Sequence, residues 1–168
     1  LQMASGLDSG DTGSRTDRIY FGGGRVMDQA ASKVMEAEPG TRFKYSNNDT
    51  LIAMRSFRES LGADDSYHRF PYEKLLHKIG AVHTTLEVDW NGDFISSSQV
   101  WSTARDLARI GQLYLQDGMW GNERLLPEGW VEFVSSPGPA QPLSGAGYGA
   151  QFWLMNDAEG IPAGTYYM

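Results

Sequence analysis

The segment that decides the fold is residues 39–49, which read PGTRFKYSNND. Its Pro-Gly pair is a typical turn signal. A cluster of Ser, Asn and Asp follows the next few residues, and a helical pattern comes after it. If residues 41–45 are extended, their side chains alternate between two faces, so that Phe43 and Tyr45 share one of them. The segment therefore predicts a turn, a short extended run and a helix start.

Tyr45 has two open roles in this segment. It lies at the start of the predicted helix, next to the amides of Asn47 and Asn48. A tyrosine there could pack its ring in the core and keep its hydroxyl in water, or it could transfer protons. The position alone favours packing, because tyrosine commonly acts as an amphipathic filler.

Composition narrows the class of protein. The chain has 168 residues, of which 40% are hydrophobic, and this suits one globular domain with its own core. A net charge of −7 without any basic run argues against binding to nucleic acid or to an anionic membrane surface. No apolar run reaches membrane-spanning length. The absence of cysteine excludes disulfides, thiolate metal sites and a cysteine nucleophile.

Helical patterns recur along the chain. A modest one covers residues 26–35, and a second begins at Asn48 or Asp49 as N-cap and ends at Gly62. Further helices are expected from Pro71 to Gly80, from Ser102 as N-cap to Asp117, and from about Pro127. Short strands are expected at 84–88, 148–154 and 165–168.

Several local motifs have simpler explanations than the chemistry they suggest. The DTGS run at residues 11–14 lacks the apolar strand that precedes an aspartic-protease motif, and a polar loop accounts for it better. The DWNGD run at 89–93 begins like a calcium loop, but Phe94 and Val100 occupy the sixth and twelfth positions, where that loop requires Gly and Glu, so a turn is expected. The three histidines lack metal-ligand spacing, and the Gly triplet at 22–24 lacks the Lys of a phosphate loop.

Five segments, in order, resemble landmarks of the serine hydrolases related to class C β-lactamases and penicillin-binding proteins. They are LQMASGL (1–7), PGTRFKYSN (39–47), WSTARDLAR (101–109), LLPEGWV (125–131) and YGAQFWL (148–154). The resemblance covers nearly the whole chain. It implies an α+β fold of the serine β-lactamase/transpeptidase type, with residues 1–168 forming mainly the helical lobe and short strands near the C-terminal end.

The resemblance also assigns roles to residues. In this family a Tyr-x-Asn motif supplies a proton-transfer group and a substrate-orienting amide. Tyr45-Ser46-Asn47 matches it, so Tyr45 becomes the expected catalytic residue and Asn47 the expected substrate-binding amide, which reverses the interpretation from position alone. Ser98 and Gln99, just before the 102–117 helix, are expected to border the substrate pocket. No metal or organic cofactor is implied.

Two other family motifs do not occur in these residues. No serine is followed by lysine three residues later, and no Lys-Thr-Gly or His-x-Gly element is present. We expect residues 1–168 to be an internal part of a single hydrolase domain and to be inactive alone. A tyrosine phenol ordinarily ionises near pH ~10, so a phenol acting as a base needs nearby cations. In an extended run Arg42 and Lys44 point away from Tyr45.

The expected activity is that of a serine hydrolase acting through an acyl-enzyme on a small-molecule amide or ester. The substrate could be a β-lactam, a D-amino-acid peptide, a carboxylic ester or a short amide. A non-catalytic homologue with a binding or regulatory role is the alternative, and a self-contained helical interaction domain is a third interpretation. The family resemblance suggests a periplasmic or secreted protein, while oligomeric state and compartment stay undetermined.

Overall fold

The helix that follows the Tyr-Ser-Asn motif is the longest in the computed structural model, which describes residues 1–10, 26–155, 160–162 and 164–167. This helix, α2, spans Asn47–Leu61. The Ser46 side chain caps it by accepting the Asn48 N–H, so the predicted cap at Asn48 or Asp49 is wrong by two or three residues. Gly62 ends the helix in the left-handed conformation, as predicted, because only glycine adopts that conformation without cost.

The helices on either side of α2 differ from the predicted ones in length. The preceding helix, α1, covers only Val26–Ala31 of the predicted 26–35. After α2, helix α3 spans Asp64–Pro71 and continues into a π-helical turn at Tyr72–Leu76. Pro71 therefore lies at the end of a helix and not at the start of one. The acidic residues at 64 and 65 suit the positive N-terminal end of α3, which explains the earlier start.

Helix α4 spans Ala104–Leu115 and shows a second capping difference. Its N-cap is Thr103, whose hydroxyl accepts the Asp106 N–H at 3.2 Å, and not Ser102 as predicted. Ser102 instead shares a 2.8 Å hydrogen bond with the Thr84 hydroxyl. Helix α5 spans Trp130–Ser135.

The strands are short antiparallel pairs. Strand β1 (Thr85–Leu86) pairs with β2 (Val100–Trp101), and β3 (Met119–Trp120) pairs with β4 (Glu123–Arg124). A three-stranded sheet follows, in the order β5 (Gly147–Tyr148), β6 (Trp153–Leu154), β7 (Tyr166–Tyr167).

The run from Tyr148 to Leu154 is therefore not one strand, as predicted, but the two arms of a hairpin. Gln151, at its turn, has a positive φ of 68°. The Gly149 N–H donates to the Phe152 carbonyl at 2.8 Å across the turn. The run is mostly apolar on both sides of Gln151, and this hides the turn from a reading of the sequence pattern.

The described residues pack into three hydrophobic clusters. The first joins α1, α2 and Ile95, and the second joins the π-helical turn to α4 and the β3–β4 hairpin. The third joins α5 to the hairpin through Val134, Ala150 and Phe152, with Tyr114 of α4 against it. The three-stranded sheet is thus held against α4 and α5 by one of its faces.

The turn at residues 89–93 is fixed by protein hydrogen bonds. The Asp89 carboxylate accepts the N–H groups of Asn91, Asp93 and Val26 at 2.9–3.1 Å. The Arg58 guanidinium bonds the Asp93 carboxylate at 2.7 Å. These contacts use the carboxylates to tie the turn to α1 and α2, which agrees with the predicted turn.

The DTGS and Gly-triplet segments lie outside the described residues. Within the described ranges, no three His, Asp or Glu side chains converge as a metal site would require. In the same ranges, each helix is too short or too polar to cross a lipid bilayer.

Candidate active site

The Tyr45-Ser46-Asn47 motif straddles the N-terminus of α2. Ser46 is 3% exposed and has extended backbone angles (φ −146°, ψ 129°), as expected for an N-cap. Its backbone N–H points to the Met3 sulfur at 3.4 Å. The cap thus separates Tyr45, outside the helix, from Asn47, the first helical residue, and holds both at the positive end of the helix dipole.

Tyr45 lies against aromatic rings from the β5–β6 hairpin. Its ring stacks on Trp153 at a centroid distance of 5.3 Å and an interplanar angle of 28°. The same ring meets Tyr148 edge-on at 5.9 Å. Phe43 contacts Tyr148 and Trp153 as well, at 5.3 and 6.2 Å, which confirms that Phe43 and Tyr45 share a face.

The two neighbouring phenols differ in their chemistry. Tyr148 is 2% exposed, and burial raises its pKa, with nearby charge at Tyr45 and Asp49 raising it further. Tyr148 therefore keeps its proton across the physiological range. Tyr45, by contrast, is 44% exposed. Of this pair, Tyr45 is the more exposed residue, and its role in proton transfer stays a prediction.

Asn47 and Asn48 are adjacent, but their side-chain amides differ in hydrogen bonding. The Asn48 amide donates to the Asp8 carbonyl at 3.3 Å and so ties the N-terminal segment to α2. Among the described residues none bonds the half-buried Asn47 side-chain amide, which leaves that amide available to a ligand. Such an amide can donate to a substrate carbonyl.

The N-terminal segment supports the motif from the other side. Ser5 donates to the Asp49 carboxylate through its hydroxyl at 2.7 Å and its N–H at 3.2 Å. The Lys44 N–H donates to the Met3 carbonyl at 2.8 Å. Arg42 bonds Glu36 and the Leu7 carbonyl, so its cation lies on the side of the run away from the aromatic rings, as alternation predicts.

A cleft of about 390 Å³ lies between the N-terminal segment and α2, and Leu1, Ser5, Asp49, Ile52 and Pro139 are among its lining residues. Neither Tyr45 nor Asn47 lines this cleft. Its walls are mostly aliphatic, and the Asp49 carboxylate in it already accepts two hydrogen bonds from Ser5. This cleft is therefore separate from the Tyr-Ser-Asn motif.

Ser98 and Gln99 lie in a tight turn just before β2. Both backbone N–H groups donate to the Ile95 carbonyl, at 3.2 and 2.9 Å. Ile95 packs in the same cluster as Leu51, which places the turn beside the early part of α2. Ser98 is exposed whereas Gln99 is 7% exposed, and a substrate-binding role for either stays a prediction.

Sequence reasoning missed three residues around these sites. The Ser97 hydroxyl is buried and has no hydrogen-bond partner within the described part of the chain, a feature typical of polar atoms that await a ligand or water. Trp153 and Tyr148 surround Tyr45, yet the YGAQFWL segment gave no sign of this. The Tyr148 and Trp153 rings point to the same face because the chain turns between them, and only a prediction of that turn could have indicated this.

Comparisons with known proteins show the family to which the chain belongs. The sequence model of the Beta-lactamase family matches residues 1–168. The 6-aminohexanoate-dimer hydrolase of Paenarthrobacter ureafaciens is 35% identical over 68 residues, which are 40% of this chain and 17% of that enzyme.

Two solved structures have the same fold. A Bacillus anthracis protein provisionally named 6-aminohexanoate-dimer hydrolase aligns with a TM-score of 0.67 and 26% identity, covering 79% of this chain and 35% of that protein. A Bacteroides dorei protein provisionally named β-lactamase aligns with a TM-score of 0.69 and 21% identity, covering 95% and 53%. The chain thus spans about half or less of the length of these relatives. The structural matches show that the chain has part of the β-lactamase/transpeptidase α+β fold. Because the family model matches residues 1–168, the chain belongs to the Beta-lactamase family.

Proposed function

We propose that the chain contributes the proton-transfer and substrate-orienting part of a serine hydrolase that cleaves amides or esters through an acyl-enzyme. A serine oxygen would attack the substrate carbonyl carbon, and the bond to the leaving group would break. The phenol oxygen of Tyr45 would accept the serine proton and pass it to the departing nitrogen or oxygen. A water molecule would then attack the acyl carbon and give its proton to the Tyr45 oxygen. Tyr45 would return a proton to the serine oxygen as the acyl group leaves.

The observation that carries this proposal is the placement of Tyr45 and Asn47 on either side of the Ser46 cap. The phenol is exposed and packed between rings, and the Asn47 amide has no partner among the described residues. A substrate carbonyl lying near the N-terminus of α2 could accept a hydrogen bond from the amide while its leaving group faces the phenol.

The nucleophile would come from outside these 168 residues. None of the serines in the chain is followed by lysine at the third position, the pair that the resemblance leads us to expect. The lysine of that pair would supply the cation that a phenolate base needs, since Arg42 is bonded to Glu36. The domain assignment of residues 1–168 as an internal part of one hydrolase domain is part of the same proposal.

A short linear amide is the substrate we favour among those left open by the sequence. The support comes from the two relatives named as 6-aminohexanoate-dimer hydrolases. β-Lactams, D-amino-acid peptides and carboxylic esters are the competing substrates. We call the full-length protein that would contain residues 1–168 the parent protein. Assays of the parent protein with a linear 6-aminohexanoate dimer, nitrocefin and a p-nitrophenyl ester separate the linear-amide, β-lactam and ester classes.

The decisive experiment is Tyr45→Phe in the parent protein, assayed with whichever of these substrates it turns over. We expect kcat to fall by about 10²–10⁴-fold, the usual range for losing a general acid–base group. Tyr166→Phe is the matched control, since this partly exposed phenol packs against Tyr114 and Phe152 on the other face of the sheet. Near-full turnover by Tyr45→Phe would show that Tyr45 is not the proton-transfer group.

A non-catalytic homologue is the second candidate, favoured by the missing Ser-x-x-Lys pair. A parent protein without that pair, and without turnover of any of the three substrates, would support a binding or regulatory role. Labelling of a serine by a β-lactam or fluorophosphonate probe, detected by mass spectrometry of the intact protein, would support the enzyme.

A further inference from the structure

Three aromatic residues form a row across the sheet beside Tyr45. Tyr148 of β5 pairs with Trp153 of β6, and Trp153 pairs with Tyr167 of β7. Residues that are directly paired on antiparallel strands project from the same face. Phe152, the residue just before β6, instead contacts Tyr114 on the face packed against α4. The row therefore belongs to the face that meets the Tyr-Ser-Asn motif.

Trp153 is the member of the row that lies flat against Tyr45. The stack has a 5.3 Å centroid distance and a 28° interplanar angle, whereas Tyr148 approaches the same ring nearly perpendicular at 81°. Tyr148 in turn meets Trp153 edge-on at a centroid distance of 4.9 Å, and this contact restricts the orientation of the Trp153 indole. Tyr45 is thus confined by a flat surface on one side and an edge on another.

Such confinement matters because Tyr45 precedes the helix. Its backbone lies outside the hydrogen-bonded turns of α2, and 44% of the residue is exposed. Packing against a flat ring limits the rotamers that a half-exposed tyrosine can sample. A misplacement of about 1 Å in a reacting group can cost 10²-fold in rate.

We propose that Trp153 is a positioning residue that holds the Tyr45 ring in the orientation needed for proton transfer. This inference rests on the proposed function of Tyr45. The aromatic contact itself adds only modestly to stability beyond the burial of the rings. Its main effect is on the fraction of molecules in which the phenol oxygen is correctly placed, so it acts on kcat more than on KM.

A double-mutant cycle in the parent protein tests the coupling. We expect Trp153→Leu to lower kcat about tenfold or more with less than a twofold change in KM, and Trp153→Phe, which restores a flat ring, to recover most of the loss. In the Tyr45→Phe background, Trp153→Leu should change the residual kcat less than twofold. Trp90→Leu is the control, since Trp90 is 86% exposed in the 89–93 turn.

Two results would overturn the inference. One is wild-type kcat in Trp153→Leu while Tyr45→Phe is inactive. The other is an equal loss of kcat from Trp153→Leu in both backgrounds, which would indicate a general structural role. Near-full activity of Tyr45→Phe would instead refute the proposed function.

An NMR measurement, which needs no turnover, distinguishes failure of the Trp153 inference from failure of the proposed function of Tyr45. With ring-labelled tyrosine, the Tyr45 NMR signal, identified by its loss in Tyr45→Phe, should show an upfield ring-current shift and an NOE to the Trp153 indole. Both should vanish in Trp153→Leu and persist in Trp90→Leu. The wild-type NOE requires no variant of Trp153 to fold, and its absence would overturn the inference whatever the kinetics show.

Discussion

The Ser46 hydroxyl accepts the Asn48 N–H at 3.2 Å, which makes the middle residue of the Tyr-Ser-Asn motif the N-cap of α2. The cap explains the spacing of the motif in physical terms. One residue before a cap the chain is extended and can present a side chain to a neighbouring sheet. One residue after it, the side chain leaves the first turn of a helix at its positive end.

Loss of the cap should affect both stability and catalysis. We expect Ser46→Ala to lower the free energy of unfolding by about 1 kcal/mol, because an Asn48 N–H near the protein interior loses its acceptor. It should also lower kcat/KM, since Tyr45 and Asn47 are held by the same turn. Urea denaturation and steady-state kinetics on the parent protein measure the two effects.

Ser56→Ala is the control for this change, since Ser56 is exposed in the middle of α2. It should leave kcat/KM unchanged and keep or slightly raise stability, because alanine is the better helix former. If Ser46→Ala behaved like Ser56→Ala in both assays, the cap would have no role in the site.

Replacing each of the two adjacent asparagines should have a different main effect, on catalysis for Asn47 and on stability for Asn48. Asn47→Ala is expected to lower kcat/KM about tenfold or more with little change in melting temperature, because its amide has no partner among the described residues. Asn48→Ala should do the opposite, since it breaks the hydrogen bond to the Asp8 carbonyl. Thermal melts and kinetics of both variants provide the test, and a larger kinetic loss in Asn48→Ala would contradict the assignment of Asn47.

Asp106 should make stability depend on pH in the acid range. Its carboxylate is fully buried, and it accepts the His83 N–H at 2.7 Å and the Thr84 hydroxyl at 3.2 Å. Burial alone would raise the pKa of Asp106, but these hydrogen bonds and the charges of His83 and Arg109 hold it below its usual value. The ionised carboxylate thus stabilises the fold above the unfolded-state pKa of about 3.9, and that contribution is lost as pH falls through the lower folded-state pKa.

Asp106→Asn tests this linkage. We expect a melting temperature lower by roughly 5 °C or more between pH 6 and 8, with the difference from wild type shrinking below about pH 4. Glu128→Gln, at an exposed carboxylate, is the control and should melt like the wild type. A difference that grows toward acid pH would show that the sign is wrong.

Two glycines should respond in opposite ways to alanine. A Cβ on Gly149 would lie 2.0 Å from the Val134 carbonyl oxygen, which is backbone and cannot move aside cheaply. We expect Gly149→Ala to destabilise the protein by about 1–3 kcal/mol, as overpacking does. Gly111→Ala should stabilise it by about 0.5–1 kcal/mol, because a Cβ there meets no atom within 4 Å in the described structure and lies inside helix α4. Urea denaturation compares them, and equal effects would contradict the close contact between the β5–β6 turn and the end of α5.

Local features of the fold were predictable where a single residue controls the backbone. Gly62 ends α2 as predicted, and the start of α2 was located to within two or three residues. The caps themselves were assigned one to three residues too late or too early, at Asn48 or Asp49 instead of Ser46 and at Ser102 instead of Thr103. Neighbouring Ser, Thr, Asn and Asp residues have similar capping preferences, and only the backbone geometry selects among them.

The amino-acid sequence by itself determined the family, through five ordered segments, and it determined that Phe43 and Tyr45 share a face, because alternation is a local property of an extended chain. Only the tertiary structure decided that this face meets Trp153 and Tyr148. The contact depends on where the 147–154 run turns back and on which side of the sheet packs against α4. The position of the turn and the buried side of the sheet depend on packing between distant parts of the chain, and no local pattern of residues specifies them.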